Sequence, residues 1–334
     1  MKPSPIKSFC IDFNWDAHGA ARPGLYAHAD PAEHVRWYRE LGANTIQTFC
    51  VSYNGYAWYH SGVAPVIPGL EHNFLADIAK LGHAEGMAVL GYFCLGSNPF
   101  WGRQHPHLAH DIGLNGHWEN AFIPEYLDYF CRCIVDALQK TEIDGFMIDW
   151  FRPLEFWSAT GKTNRKTWLD CEKQMFRELM GESFPREGEP DASVWTEFER
   201  RVLELAWTRI KDAVDSTRPA IIWPNAPFQQ VHDPIWNGHK LLREADWILN
   251  ESPDVNLLSW LHDQIGPNTT IVQNLCGWKE HDASAWRTID TAKYGLYGFA
   301  QADPETTLPS PGYTPACVAN QKNIAILREA YHAI

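Results

Sequence analysis

The feature that most restricts this chain is an alternation that runs its whole length, in which eight short β-rich runs alternate with helical patterns. That order marks parallel strands joined by crossover helices. Strand 1 is expected near Ser8 to Phe13, strand 2 at Thr45 to Val51, strand 3 at Ala88 to Phe93 and strand 4 at Gly145 to Asp149. Strands 5 to 8 are expected at Ala220 to Trp223, Trp247 to Asn250, Thr270 to Leu275 and Leu296 to Gln301. Helices are placed at Pro31 to Leu41, Asn73 to Glu85 and Pro124 to Lys140, with a last one from Ala316 to His332. The first has Asp30 as N-cap, Pro31 at the first helical position and Gly42 at its end, which are the ordinary start and stop signals. Between strands 4 and 5 lie two further helical patterns, Thr167 to Met180 and Val194 to Ser216, separated by a Pro/Gly/Glu-rich stretch and read as an insertion.

Eight such units in 334 residues fit one (β/α)8 TIM barrel of roughly 250 residues with long βα loops, so residues 1–334 are read as one barrel domain. An open doubly wound sheet is the competing arrangement. It is disfavoured because no Gly-rich phosphate loop follows strand 1 and eight units exceed what that fold needs.

A barrel of this kind carries its active site at the C-terminal ends of the strands. The residues at those ends form a consistent chemical set: Asp12, Asn14, Trp15 and Asp16 after strand 1, and Gln47, Tyr53, Asn54 and Trp58 from strand 2 and its loop. Trp101 follows strand 3, Asp149, Trp150 and Arg152 end strand 4, and Trp223 and Asn225 end strand 5. Glu251 follows strand 6, Gln273 lies in strand 7, and Asp303 follows strand 8. Carboxylates, amides and aromatic rings converging on one mouth suit a sugar. The 16 Trp residues point the same way, since indole faces stack on the C–H face of a pyranose, although core packing accounts equally well for each ring.

Cleavage of a glycosidic bond requires two carboxyl groups, one ionised toward the anomeric carbon and one protonated toward the leaving oxygen. Asp149 suits the first role because it ends an apolar strand and has Arg152 nearby to keep it charged. The alternative is an Asp that caps a helix or pairs with Arg152 for packing. Glu251 suits the acid role because the apolar run Trp247-Ile248-Leu249 before it would favour its protonated form. Asp303, Glu155 and Asp16 are its rivals. Asp12, Asn14, Gln47, Tyr53, Asn54, Arg152, Asn225, Gln273 and Asp303 are then the expected polar contacts to substrate, and Trp15, Trp58, Trp101, Trp150 and Trp223 the ring platforms.

The formal net charge of −13, with no Lys/Arg run, argues against a nucleic-acid partner. No apolar stretch of membrane-spanning length occurs, no signal-peptide pattern precedes strand 1, and the eight Cys form no CxxC pair, so a cytoplasmic protein with no membrane partner is expected. Assembly into a homo-oligomer is left open. His105, His107, His110 and Asp111 in the strand 3 loop are too loosely spaced for a fixed metal site, so no metal and no cofactor is expected.

Four stretches give the sequence a family resemblance. Phe13-Asn14-Trp15-Asp16 is similar to the His-Trp-Gly stretch after strand 1 of the family 29 α-L-fucosidases. Leu41 to Asn44, running on to Asn54-Gly55-Tyr56-Ala57-Trp58, is similar to their strand 2 segment with its His-His-Asp-Gly-Phe loop. Gly86 to Phe93 resembles their strand 3, and Ile143-Asp144-Gly145-Phe146-Met147-Ile148-Asp149-Trp150 occupies the place of their strand 4 nucleophile motif. The resemblance covers about the first half of the chain and implies a retaining glycosidase barrel with Asp149 as nucleophile. It departs where Ser52-Tyr53-Asn54 replace the paired histidines and Asn14 replaces a His, the family's fucose-holding positions. The sugar therefore stays open.

The expected function is a glycoside hydrolase releasing a terminal sugar, α-L-fucosidase-like or galactosidase-like, with Asp149 as nucleophile and Glu251 as acid/base. Two alternatives stand beside it: a carbohydrate-binding barrel that has lost the acid, and a metal-dependent hydrolase or lyase of small polyols.

Overall fold

The computed structural model describes residues 3–16, 19–111, 118–120, 122–151, 168–185, 191–225, 233–315, 318–319 and 321–334. Arg152 and Glu155 lie outside the described residues. The barrel strands are β1 (Lys7–Asp12), β2 (Thr45–Val51), β3 (Ala88–Cys94), β4 (Gly145–Asp149), β5 (Ile221–Pro224), β6 (Trp247–Asn250), β7 (Thr270–Trp278) and β8 (Gly295–Gln301). All are parallel and ordered β6-β7-β8-β1-β2-β3-β4-β5. The ring closes between β5 and β6 through a bridge from Asn225 to Leu249 and a bond from Asp246 N to Ile222 O of 3.2 Å. This is the (β/α)8 barrel expected from the alternation of elements.

The helices are α1 (Pro31–Leu41), α2 (Phe74–Ala84), α3 (Pro99–Gln104), α4 (Pro124–Lys140), α5 (Asp170–Met180), α6 (Ala192–Asp215), α7 (Lys240–Glu244), α8 (Leu257–Gln264) and α9 (Gln321–Ala333). Local chemistry explains α1. Asp30 accepts from Ala32 N at 2.7 Å and Glu33 N at 3.3 Å, and Gly42 ends the helix in the left-handed region at φ 85°. Its inward face, His34, Val35, Tyr38 and Leu41, packs on the strands. The Tyr38 hydroxyl links two of them, accepting from Ile11 N at 3.0 Å and donating to Gln47 O at 3.1 Å.

The bottom of the ring is held by a repeated device. The residue just before β2, β4 and β6 is Asn44, Asp144 and Asp246, and each side-chain oxygen accepts a backbone N–H from the preceding strand: Lys7 at 2.9 Å, Val89 at 2.8 Å and Ile222 at 2.9 Å. Gly145 opens β4 because its backbone runs against β5; a Cβ there would lie 2.2 Å from Ile221 O. This end fixes the strands and leaves the opposite end for function.

Two expectations need correction. The last helix begins at Gln321, because Val318 and Ala319 form a short strand antiparallel to Gly277 and Trp278. Strand 7 runs on to Trp278, its register shifting between Asn274 and Cys276. Such a shift adds a residue to one strand and re-aims the side chains beyond it. Among the described residues, no helix is long and apolar enough to cross a membrane.

Candidate active site

A cavity of about 680 Å³ opens at the C-terminal mouth of the barrel. Its floor is made of inward strand residues, among them Cys10, Gln47, Phe49, Met147, Leu249, Tyr297 and Phe299. Above them stand the carboxyl groups of Asp12, Asp149 and Glu251, with Asn14, Asn225 and Ser252, and the rim carries Trp15, Trp150, Trp278, Pro253 and Glu280. Apolar walls with a few converging polar groups are the make-up of a small-molecule site.

Asp149 is held by three donors. The Tyr92 hydroxyl donates to Oδ2 at 2.7 Å, and Trp150 N and Asn225 Nδ2 donate to Oδ1 at 2.9 Å and 2.7 Å. Just beyond β4 the chain makes an unusual turn, since Trp150 has φ 52°, a left-handed value that costs a bulky residue about 1–3 kcal/mol. The Asp149 carbonyl accepts from Leu95 N at 2.9 Å, so main chain and side chain are both fixed.

Glu251 shares one of these donors. Asn225 Nδ2 also donates to Glu251 Oε2 at 2.8 Å, and Trp278 Nε1 donates to Oε1 at 2.9 Å. The Asn225 amide orientation follows from these partners, since its oxygen facing two carboxylates would be repelled. One nitrogen bonded to both groups limits their nearest oxygens to a separation of about 5.5 Å, the two bonds laid end to end. The His281 ring contacts the Glu251 carbonyl at 2.9 Å and steadies its backbone.

Burial, followed by the negative charge of Glu251, pushes the Asp149 carboxyl up to about 6, against the pull of its three donors. Asp12 is pushed up to about 7, chiefly by burial and further by repulsion from Asp149 and Glu251; the Asn14 N–H, 2.6 Å from its Oδ1, opposes this. The site thus holds carboxyl groups whose proton affinities lie near neutrality, where proton transfer in either direction is easiest.

Of the residues singled out in the sequence, Asp12, Asn14, Trp15, Gln47, Asp149, Trp150, Asn225 and Glu251 line this cavity together. The other described ones do not line it. Tyr53 stacks on Trp15 with centroids 5.5 Å apart, and its N–H donates to Asn14 Oδ1 at 3.1 Å, so it backs the wall. Asn54 shapes the β2 loop by accepting from Tyr56 N at 3.2 Å. Trp58 is buried against Phe13 and donates to Ser52 Oγ at 2.5 Å. Trp101 stacks on His105 at 4.2 Å, and Trp223 is enclosed by Trp247 and Tyr297 inside the barrel. Gln273 is spent on scaffolding, accepting from Asn250 Nδ2 at 2.7 Å and donating to Ser252 O and Asn274 O at 2.9 Å and 2.7 Å. Asp303 closes a turn by accepting from Glu305 N at 2.9 Å. Asp16 lies in a short hairpin with Gly19 and does not line the cavity.

Among the lining residues that the sequence reading does not single out, three stand next to the carboxyl groups or at the rim. Tyr92 sits inside β3, where a Tyr looks like core, and Trp278 and Glu280 lie beyond the expected end of strand 7. A Trp directly after Gly277 is the available signal for the second. His105 and His110 have other work: the first contacts Trp101 O at 2.8 Å and the second Glu172 Oε2 at 3.0 Å. Among the described residues, no group of three or more His, Cys, Asp or Glu is placed to hold a metal ion.

Barrel and cavity together define a (β/α)8 barrel with carboxyl groups gathered at the C-terminal mouth of its strands. No family model matches the sequence, and no curated protein matches it. Solved structures do share the fold. The α-L-fucosidase isoenzyme 2 from Paenibacillus thiaminolyticus superposes with a TM-score of 0.63 at 13% identity, over 98% of this chain and 49% of that one. This chain therefore spans about half the length of that enzyme. The PgaB (BpsB) glycoside hydrolase domain from Bordetella bronchiseptica has a TM-score of 0.58 at 11% identity, covering 90% of this chain and 94% of its own. The α-L-fucosidase AlfC from Lactobacillus casei has a TM-score of 0.50 at 10% identity, covering 98% and 95%. At such identities the likeness is one of fold.

Proposed function

We propose that this chain is a retaining glycoside hydrolase that releases a terminal sugar, with Asp149 as nucleophile and Glu251 as acid/base. The observation that carries the reading is the shared Asn225 nitrogen, which keeps the nearest oxygens of the two carboxyl groups within about 5.5 Å and so favours the closer spacing. Retaining enzymes hold theirs about 5–5.5 Å apart, whereas inverting ones leave roughly 6.5–9.5 Å for a water molecule. The fold it shares with two α-L-fucosidases and a glycoside hydrolase domain supports the same class.

In the first step an Asp149 oxygen bonds to the anomeric carbon as the glycosidic C–O bond breaks, and the Glu251 proton passes to the departing oxygen. In the second, Glu251 takes a proton from water as that water displaces Asp149 from the sugar. Asp149 Oδ2, which among the described residues accepts the Tyr92 hydroxyl alone, is the freer oxygen to attack. Trp15, Trp150 and Trp278 at the rim offer ring faces to the sugar, and Asn14, Gln47 and Asn225 offer polar contacts to its hydroxyls.

The test is a panel of 4-nitrophenyl glycosides beginning with α-L-fucoside and the galactosides, with the product anomer followed by proton NMR. Release of nitrophenol with retained configuration is expected. An inverted first product would remove Asp149 from the nucleophile role, and binding without release would favour a carbohydrate-binding barrel.

A further inference from the structure

The cavity holds more negative charge than hydrolysis requires. Asp149 and Glu251 account for the two carboxyl groups of the reaction. Asp12 and Glu280 also line the cavity, and none of the described lining residues is Lys, Arg or His. Asp12 is 8% exposed, and among the described residues it has no cationic partner; its Oδ2 accepts no hydrogen bond there. Carboxyl groups gathered in a partly desolvated site are stabilised by protons or by a bound cation. A substrate that brings positive charge supplies the second.

An independent feature shows that the same space is shaped for a polar ligand. Gln47 is 1% exposed and lines the same cavity as Asp12, and among the described residues neither Nε2 nor Oε1 has a hydrogen-bond partner. A buried amide left unpaired costs about 1–3 kcal/mol, so its place at a cavity floor points to a partner arriving from the cavity. It can accept from an N–H and donate to a hydroxyl of the same sugar. The indole of Trp278 at the rim adds a face that favours a cation.

From this charge and this unpaired amide we infer that the terminal sugar carries a free, protonated amine on its ring. The inference rests on the glycosidase reading and narrows it. The ammonium group is met by Asp12, with the Gln47 oxygen as a further acceptor, and Glu280 at the rim attracts it during entry.

Two measurements on the intact protein decide the matter. The first compares kcat/KM for 4-nitrophenyl glycosides of 2-, 3- and 4-amino sugars with their hydroxyl and N-acetyl counterparts at neutral pH. One of the amino compounds should exceed both counterparts by about tenfold or more, a charge-assisted against a neutral hydrogen bond. That advantage should shrink as salt is raised and should fall in Glu280→Gln, an exposed position where folding is not at risk. The second is calorimetric binding of the free amino sugars against their neutral parents. Equal or better turnover of the hydroxyl compounds overturns the inference and leaves the glycosidase reading standing. Turnover of no glycoside overturns the glycosidase reading, and the calorimetry then decides alone: no preference for the amine ends the proposal.

Discussion

Two walls of the same cavity are built from the same residue types and finished in opposite ways. On the β4 to β6 side, Asp149 and Glu251 are fixed by Tyr92, the Trp150 N–H, Asn225 and Trp278, and every carboxylate oxygen has a donor. On the β1 to β2 side, Asp12 keeps one oxygen without a donor among the described residues, and the Gln47 amide has no partner at either atom. Groups that attack and transfer protons must be in position before substrate arrives, so their hydrogen bonds are completed within the protein. Groups that recognise substrate are completed by it. On the proposed function, the contrast separates the groups for chemistry from those for recognition.

The first way to break it is at Asp149. Asp149→Asn should lower kcat/KM by about 10³-fold or more while thermal unfolding shows an unchanged or higher midpoint, because the folded protein no longer holds a buried charge. Activity within tenfold of the original would remove this residue from the mechanism. Glu251→Gln comes next, with a loss of about 10²–10³-fold for sugars with poor leaving groups and a much smaller one for activated nitrophenyl glycosides, since only the former need the acid. Equal losses for both would assign Glu251 a binding role.

Asn225→Ala should cost about 10–10²-fold in kcat, with a smaller rise in KM from the lost substrate contact, because it frees both carboxylates from their common anchor. A pH profile sharpens the comparison. Asp149 must be ionised to attack, so kcat/KM should fall as pH drops through about 6. Tyr92→Phe removes a bond to the charged form, so this acid limb should move upward by about one pH unit. An unmoved limb would mean that another group sets it.

The carboxyl groups also make a stability prediction of fixed sign. Asp12 and Asp149 bind protons more tightly in the folded protein than in the unfolded chain, where they titrate near 3.8. Their contribution to stability is full below that pH and is lost as pH rises through about 6 to 7. Urea unfolding should therefore find a decline across this window, reduced in Asp12→Asn. The smallest effect belongs to Gln47→Leu, which should raise KM several-fold and stabilise the protein by about 1 kcal/mol by removing an unpaired buried amide. Loss of stability there would mean that Gln47 is satisfied within the fold.

How much of the molecule is legible in the sequence depends on how local each signal is. The β4 segment is legible to the residue, because Gly145 and Asp149 bracket a wholly apolar run, and α1 is legible because Asp30, Pro31 and Gly42 mark its ends. The mouth is legible as a set of strand ends, which is why eight of the expected site residues share one cavity. Long-range packing is not. Trp58 and Trp223 carry the same indole as Trp15 and Trp150, and only the closed barrel determines that the first pair is core and the second pair wall. Trp278 is hidden by the register shift in β7, which depends on pairing with β8. Helix α9 starts later than its sequence pattern suggests because Val318 and Ala319 pair across space with β7.

The left-handed turn at Trp150 has a consequence for how such a barrel can diversify. Asp149 is oriented by the very next peptide, by Tyr92 one strand away and by Asn225 on the other side, all within the rigid ring. Among the described residues these three donors account for its aim. On the proposed reading, exchanging surface segments outside this ring should change specificity with the nucleophile already in register, so this wall acts as a socket into which variable recognition modules can be plugged.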